Sequence, residues 1–128
     1  MTKRAKSAFT IDKRDMQPIA WEGGQMARTR FDKTFTGELV GTSVIEAIML
    51  RTDKEGPAVY SGVERFDCTL DGLKGTFLLL HSATMRGAHN DSSWKIVSGS
   101  GTGELVGIRG EGDILPNHDF ILTYELES

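Results

Sequence analysis

Apolar and polar residues alternate along most of this chain, and short clusters of Gly, Pro, Asp and Asn separate the alternating stretches. A period of two is typical of β-strands that bury one face and expose the other. The sequence therefore predicts about eight strands, mostly antiparallel, and no helix, at the following positions: 8–15, 26–35, 39–51, 58–69, 75–83, 94–97, 98–112 and 120–127.

One segment has a competing interpretation. Residues 44–50 contain Glu46, Ala47, Met49 and Leu50, which are good helix formers. The β-branched residues at the start of the apolar run and its predicted hairpin partner favour a strand.

Glycine is concentrated in residues 98–112, where it makes up six of fifteen positions. The pentapeptide Gly103–Gly107 also occurs at Gly37–Gly41, and a looser version lies at Gly72–Gly75. Glycine within a strand usually marks a bulge or a sharp bend, and recurring bends allow a sheet to close. We therefore predict a bent strand at 98–112 and an all-β fold, a single eight-stranded, mostly antiparallel closed barrel.

The turn chemistry fixes part of the register. Asp71-Gly72 fits the two positive-φ positions of a type I′ hairpin turn. Polar residues predict a loop at 84–93 and a turn at 115–119, and Trp21 is expected to plug the barrel mouth. The hairpin places three cross-strand pairs opposite one another: Phe66 with Phe77, Glu64 with Leu79, and Gly62 with His81.

This register brings candidate chemistry to one face of the hairpin. Tyr60, Glu64 and His81 share that face, and Gly62 leaves space beside the imidazole, so a general acid or base is predicted there. The alternative is that Glu64 and His81 only satisfy each other's hydrogen bonds in the barrel wall. Glu46 either adds a second carboxylate or is exposed. The apolar wall of the predicted ligand site comprises Phe31, Phe66, Phe77 and Leu79.

Other chemistries have weaker support, so we expect no cofactor and no metal. The pairs His89/Asp91 and His118/Asp119 lie in polar turns without further ligands at typical spacings. The glycine-rich stretch lacks the Gly-Lys-Ser/Thr sequence of a phosphate-binding loop, and Ser98 lacks a nucleophile-elbow context.

Composition sets the broad class. The 128 residues suit one domain at 8–128, preceded by a basic, flexible tail at 1–7. A net charge of −3 argues against nucleic acid or a membrane surface as partners. Cys68 is the single cysteine and the basic start is followed by no apolar segment, so a cytoplasmic location is expected.

Several motifs together resemble a known bacterial family. Val63-Glu64-Arg65, Leu70-Asp71-Gly72, Gly75-Thr76-Phe77 and the stretch 98–107 are similar, in this order, to domain of unknown function 3224. The resemblance spans about residues 9–126 and implies a small barrel of the allene-oxide-cyclase type. Leu80 departs from the polar residue usual in that family, which implies a more apolar exterior.

Two functional classes follow for such a barrel. One is an enzyme, a cofactor-independent cyclase or isomerase that acts on a largely apolar small molecule in the barrel cavity. The other is a barrel that binds such a molecule without turnover; a structural homo-oligomer with a barrel filled by side chains is the third possibility, because eight strands permit either interior. Exterior Leu78 and Leu80 predict a homodimer or higher homo-oligomer.

Overall fold

The computed structural model describes residues 2–52, 56–86 and 89–126. Eight antiparallel strands form a closed barrel in which each strand pairs with the next along the chain and the last pairs with the first. The predicted fold class is confirmed. The strands are β1 (Lys3–Pro18), β2 (Gln25–Gly37), β3 (Leu39–Arg51), β4 (Ala58–Leu70), β5 (Leu73–Arg86), β6 (His89–Ile96), β7 (Ile108–Ile114) and β8 (Phe120–Leu126).

The helical segment described is one turn of 3-10 helix, Gly103–Leu105. In the described part of the chain, no helix has both the length and the apolar character needed to cross a bilayer. The helical alternative for residues 44–50 is wrong, because each of these residues pairs with both β2 and β4.

The predicted hairpin register is confirmed. Asp71 and Gly72 both have positive φ, 49° and 87°, as a type I′ turn requires. Phe66 pairs with Phe77, and Glu64 pairs with Leu79. Gly62 pairs with His81, so the turn places the candidate acid–base residues on one inward face.

The expected N-terminal tail is instead part of the barrel. Residues 3–7 form the start of β1 and pair with β8. Ala5 and Ser7 are the inward residues, 1% and 2% exposed, while the basic residues between them face outward. Because the inward side chains are small and one is polar, the hydrophobic pattern there was too weak to predict a strand.

The polar loop predicted at 84–93 is also wrong in the described residues. β5 continues to Arg86 and β6 begins at His89, and Thr84 pairs with Asp91. Thr84 and Asp91 are both exposed, so polar residues suit these positions of the two strands. Polar composition therefore did not distinguish an exposed hairpin from a loop. The side chains of His89 and Asn90, like residues 53–55 and Glu127, lie outside the described part.

The glycine-rich stretch is not one bent strand. Regular pairing resumes only at Ile108, and the preceding residues lie beside β5, where Val97 N donates to Leu78 O and Thr102 N donates to Thr76 O. Gly75 permits this close approach, because a Cβ on it would lie 2.0 Å from the carbonyl oxygen of Thr102. Gly103 has φ of +61°, and Leu105 is completely buried. The stretch closes the barrel end with a buried leucine.

Leu105 belongs to a packed core that fills this closed end. The rings of Phe66 and Phe77 stack with centroids 4.7 Å apart, and Phe35 lies 5.2 Å from Phe66. Tyr124 is buried beside them and donates a hydrogen bond to Asp71 of the hairpin turn. We call this region the closed half; its buried members include Phe35, Leu39, Phe66, Leu70, Phe77, Leu105, Ile108, Phe120, Leu122 and Tyr124.

Candidate functional site

The opposite half of the barrel is open and contains a cavity of about 920 Å³. We call it the mouth cavity. Its walls are mostly apolar, and exposed hydrophobic side chains surround its opening. Trp21 lies at this opening with 42% of its surface exposed, so it lines the mouth and does not plug it. The apolar lining includes Phe9, Ile11, Met16, Ile19, Trp21, Phe31, Met49, Met85 and Ile114.

A group of hydrogen-bonded polar side chains lies inside the barrel between the mouth cavity and the closed half. We call it the polar layer; it consists of Lys33 on β2, Ser43 on β3, Tyr60 and Glu64 on β4, and His81 on β5. Each faces inward because its position has the inward parity of its strand. The polar layer therefore depends on the register of four neighbouring strands.

Glu64 is the centre of the polar layer and is only 1% exposed. Its Oε1 lies 2.7 Å from His81 Nε2. Its Oε2 accepts a hydrogen bond from Ser43 Oγ at 2.5 Å and lies 3.4 Å from Lys33 Nζ. Both carboxylate oxygens are therefore satisfied within the protein.

The polar layer contacts the mouth cavity at Tyr60 and Lys33, which line it, whereas Glu64, His81 and Ser43 do not. The Tyr60 hydroxyl lies 3.1 Å from His81 Nδ1. A continuous hydrogen-bonded chain therefore runs from the cavity wall at Tyr60 through His81 to Glu64. On the other side of Glu64, Lys33 lies 3.4 Å from its Oε2 and also lines the cavity.

The surroundings of Glu64 keep it ionised. Burial alone would raise the pKa of Glu64, but the hydrogen bond with His81, the charge of Lys33 and the hydrogen bond from Ser43 together lower it below its usual value. A carboxylate accepts hydrogen bonds only, so His81 Nε2 carries a proton. In the neutral tautomer that carries this proton, Nδ1 is an acceptor for the Tyr60 hydroxyl, 3.1 Å away.

Tyr60 stays protonated in this setting. Burial, and secondly the negative charge of Glu64, raises the pKa of Tyr60 well above its usual value. The phenol therefore does not ionise freely. Any proton transfer from this hydroxyl needs an acceptor close by, and His81 Nδ1 lies 3.1 Å away.

Trp94 on β6 adds a further polar group. It pairs with His81 across β5 and β6, its ring centroid lies 5.5 Å from that of His81, and it lines the mouth cavity. Its indole Nε1 is buried and has no hydrogen-bond partner among the described residues. A buried donor without a partner is uncommon in folded proteins, and this one is left to donate to a bound molecule or a water.

The structure brings together only some of the residues that the sequence singled out. Tyr60, Glu64 and His81 are in direct contact, and Phe31 lines the mouth cavity. The other three predicted wall residues, Phe66, Phe77 and Leu79, are buried in or beside the closed half and do not line it.

Glu46 is exposed on the outer surface. Its carboxylate lies 3.2 Å from Arg65 Nη1, so it adds no second carboxylate to the interior.

Sequence reasoning missed Lys33, Ser43 and Trp94. Lys33 shares the parity of Phe31 and Phe35, and Ser43 shares that of Ile45 and Ala47, so alternation alone would have placed both inside. Lysine and serine are usually exposed, so their residue types conceal this signal. The sequence analysis assigns Trp94 no role beyond the start of a strand.

No group of three or more His, Cys, Asp or Glu side chains is arranged to hold a metal ion in the described ranges 2–52, 56–86 and 89–126. His118 occupies a positive-φ position of the turn between β7 and β8, with φ of 67°, and Asp119 forms an ion pair with Lys6. The pair His89/Asp91, which the sequence analysis considered and did not favour as metal ligands, falls partly outside the described side chains.

Comparison with known proteins identifies a family and a similar solved structure. The family model described as protein of unknown function (DUF3224) matches residues 5–127. A crystal structure of a DUF3224 protein of unknown function from Shewanella oneidensis MR-1 is 27% identical, with a TM-score of 0.85 over 100% of this chain and 99% of that chain. No curated protein matches. The further likeness to allene oxide cyclases is not confirmed by these matches.

Proposed function

From the premise that this chain belongs to the DUF3224 family, which carries no assigned activity, we propose its function from the site itself. The protein binds a largely apolar small molecule in the mouth cavity and catalyses a proton-transfer reaction on it, an isomerisation or cyclisation without a cofactor. The observation that carries this proposal is the hydrogen-bonded chain Tyr60–His81–Glu64, which begins at the wall of an open apolar cavity.

The cavity supports binding by its size and composition. Ligand sites typically occupy about 300–1,000 Å³ and have apolar walls with a few polar groups, and the mouth cavity has this character. A barrel filled throughout by side chains, the structural alternative, disagrees with this open volume.

The chain of polar groups supports proton transfer. Tyr60 Oη accepts a proton from a carbon or oxygen of the bound molecule while its own proton passes to His81 Nδ1. The imidazolium that forms is stabilised by the Glu64 carboxylate, whose lowered pKa keeps it charged. Return of the proton to a different atom of the molecule restores the protein and completes an isomerisation, with no net gain or loss of protons.

The cost of the polar layer also favours this role over a purely structural one. Burying ionised groups is expensive, and well-packed apolar residues of similar volume are often as stabilising. Strongly perturbed groups that meet in a cleft are more typical of functional sites.

The test combines ligand identification with isotope exchange. Protein purified from its own organism is examined by native mass spectrometry, and the molecule it releases is returned to stripped protein in D₂O. We expect the wild type to incorporate deuterium into this molecule, and Tyr60→Phe and Glu64→Gln to slow incorporation at least about 100-fold.

Tyr124→Phe is the matched control, because that hydroxyl contacts Asp71 in the closed half. It is expected to exchange at the wild-type rate. A molecule that binds in the mouth cavity without exchange would make the protein a non-catalytic carrier. Exchange unaffected by Tyr60→Phe would remove the proposed relay.

The compartment we propose is the cytoplasm. Cys68 is the single cysteine of this sequence, so no disulfide forms within it, which suits a reducing compartment. Burial, together with the nearby charge of Asp67, raises the pKa of its thiol to about 12 and so lowers its reactivity.

A further inference from the structure

We propose that the molecule in the mouth cavity is an organic anion, with an apolar body and one anionic head, such as a carboxylate, held at the cavity floor beside Lys33 and Trp94. This inference deepens the proposed function and rests on its claim that the cavity binds a small molecule. It does not depend on the reaction.

The charged side chains that line the cavity are all positive. Among the described lining residues the ionised side chains are Lys33 and Arg51, both cations, and no Asp or Glu lines the cavity. Low-dielectric walls strengthen the field of a charge inside a cleft. The cavity therefore favours an anionic over a cationic occupant.

Lys33 is the cation that a bound head would meet at the floor. It is 8% exposed, and its Nζ lies 3.4 Å from Glu64 Oε2 and 5.1 Å from the centre of the Phe9 ring. An ammonium group has three donors, so the contact with Glu64 leaves N–H groups for a ligand. A desolvated cation gains from a charge-assisted hydrogen bond.

Glu64 does not cancel this attraction from the side of the cavity. Its carboxylate is not part of the cavity wall, and its oxygens already accept from His81 and Ser43. A ligand therefore contacts the ammonium group directly, while the carboxylate lies behind it.

Trp94 supplies the second, independent observation. An indole N–H donates but cannot accept, and this one is buried without a partner in the part of the chain that the structure describes. An acceptor on a bound molecule satisfies it, whereas an ammonium head does not. Lys33 and Trp94 thus select the same chemistry from different strands.

The apolar body is expected to extend from the floor toward the opening. Met16 and Trp21 are exposed there by 56% and 42%, which leaves apolar surface for the body to cover. Arg51 is exposed at the same end, so its attraction for an anion is screened by solvent. The head is therefore placed at Lys33 and not at Arg51.

The experiment uses three fluorescent probes with one body and different heads: pyrenebutyrate, pyrenebutanol and pyrenebutylamine. Titration of the wild-type protein is expected to give a dissociation constant for the butyrate at least about tenfold below that of the amine, with the alcohol between them. Lys33→Met should reduce the preference for butyrate over amine to about threefold or less.

Two further variants separate head recognition from damage to the fold. Trp94→Phe keeps an aromatic ring but removes the donor, so it should weaken butyrate binding and leave amine binding unchanged. Arg51→Met removes the exposed cation and should leave the preference as in the wild type. Circular dichroism spectra and melting curves show whether each variant is folded.

Three results would overturn the inference, and each points to a different part of it. If the wild type binds the three probes equally, or the amine best, the anionic head is excluded while the apolar cavity stands. If it binds none of them, the small-molecule site itself is excluded, and the proposed function fails with it. A wild-type preference that persists in a folded Lys33→Met variant would exclude Lys33 as the recognition group.

Discussion

The two halves of this barrel use the same strands for opposite purposes. In the closed half, aromatic and aliphatic side chains meet without space for a ligand, and Leu105 enters from outside the sheet to complete the packing. In the mouth half, the same wall surrounds about 920 Å³ of open space, with buried charges at its floor. Apolar side chains are fully buried in the closed half, so the hydrophobic effect stabilises that half more than the open mouth half.

This difference shows how a small chain combines a stable fold with a costly site. A cavity lacks the packing contacts that stabilise a filled core, and burying an ion pair costs the free energy of removing both charges from water. Both costs fall in the mouth half, and the packed closed half offsets them within the same sheet. The stability of the protein and its site are therefore expected to respond to different substitutions.

The largest expected effect tests this separation with two phenylalanines. Phe66→Ala removes a ring that stacks on Phe77 and contacts Phe35, and should lower the free energy of unfolding by about 4 kcal/mol. Phe31→Ala removes a half-buried ring from the mouth cavity, where the space already exists, and should cost about 1 kcal/mol. Urea denaturation followed by tryptophan fluorescence measures both.

The same pair also tests where ligands bind. Phe31→Ala should weaken pyrenebutyrate binding, whereas a folded Phe66→Ala variant should bind it nearly as the wild type does. Equal losses of stability in the two variants would mean that the mouth half is packed as tightly as the closed half, and the comparison would fail.

The same division explains how far the sequence could predict this molecule. Alternation and the Asp71-Gly72 turn determined the barrel and the register that joins Tyr60, Glu64 and His81, because both depend on local backbone geometry. Strand parity also placed Phe66 and Phe77 inward. Strand parity does not show which level along the barrel axis is filled by side chains. The prediction that these two rings line a ligand site is therefore wrong.

The other differences between prediction and structure arise from contacts between residues that are distant in the sequence. Ala5 and Ser7 are buried only because β8 lies beside them. Glycine is needed at position 75 only because the backbone of Thr102 packs against it. Likewise, Lys33 is stable inside because Glu64 lies next to it. Local patterns contain none of this information.

The next effect in size concerns the charge at the boundary between the halves. Glu64→Gln keeps the shape of the side chain but leaves Lys33 without its buried counter-charge, so we expect about 2–3 kcal/mol of destabilisation at neutral pH. The folded pKa of Glu64 lies below its usual value of 4.5. Its contribution to stability is therefore present above pH 4.5 and is lost as the pH falls through the folded pKa.

Unfolding free energies at a series of pH values measure this dependence directly. The gap between wild type and Glu64→Gln should be constant from neutral pH down to about pH 5 and should narrow at lower pH. A gap that stays the same under acidic conditions would show that Glu64 is not ionised in the folded protein, and the proposed role of its carboxylate would fail.

The smallest expected effect on stability is at the outer surface, where neither half of the interior is touched. Leu80 is 48% exposed and pairs with Val63, which is 37% exposed, so the two form an apolar patch on the outside of β4 and β5. We propose that a second copy of this chain covers the patch, with at least about 1,000 Å² buried in total. Light scattering at micromolar concentration is expected to give at least a dimer for the wild type and a monomer for Leu80→Glu.

Thr84→Glu is the control, because Thr84 is exposed on the same strand at the same outward parity. The mass of this variant should match that of the wild type. Since the substituted side chain lies outside the barrel, the monomeric Leu80→Glu variant should keep the cavity and its preference for pyrenebutyrate. A wild-type mass of one chain would exclude the interface, and loss of probe binding on dissociation would instead show that the mouth cavity needs the second copy.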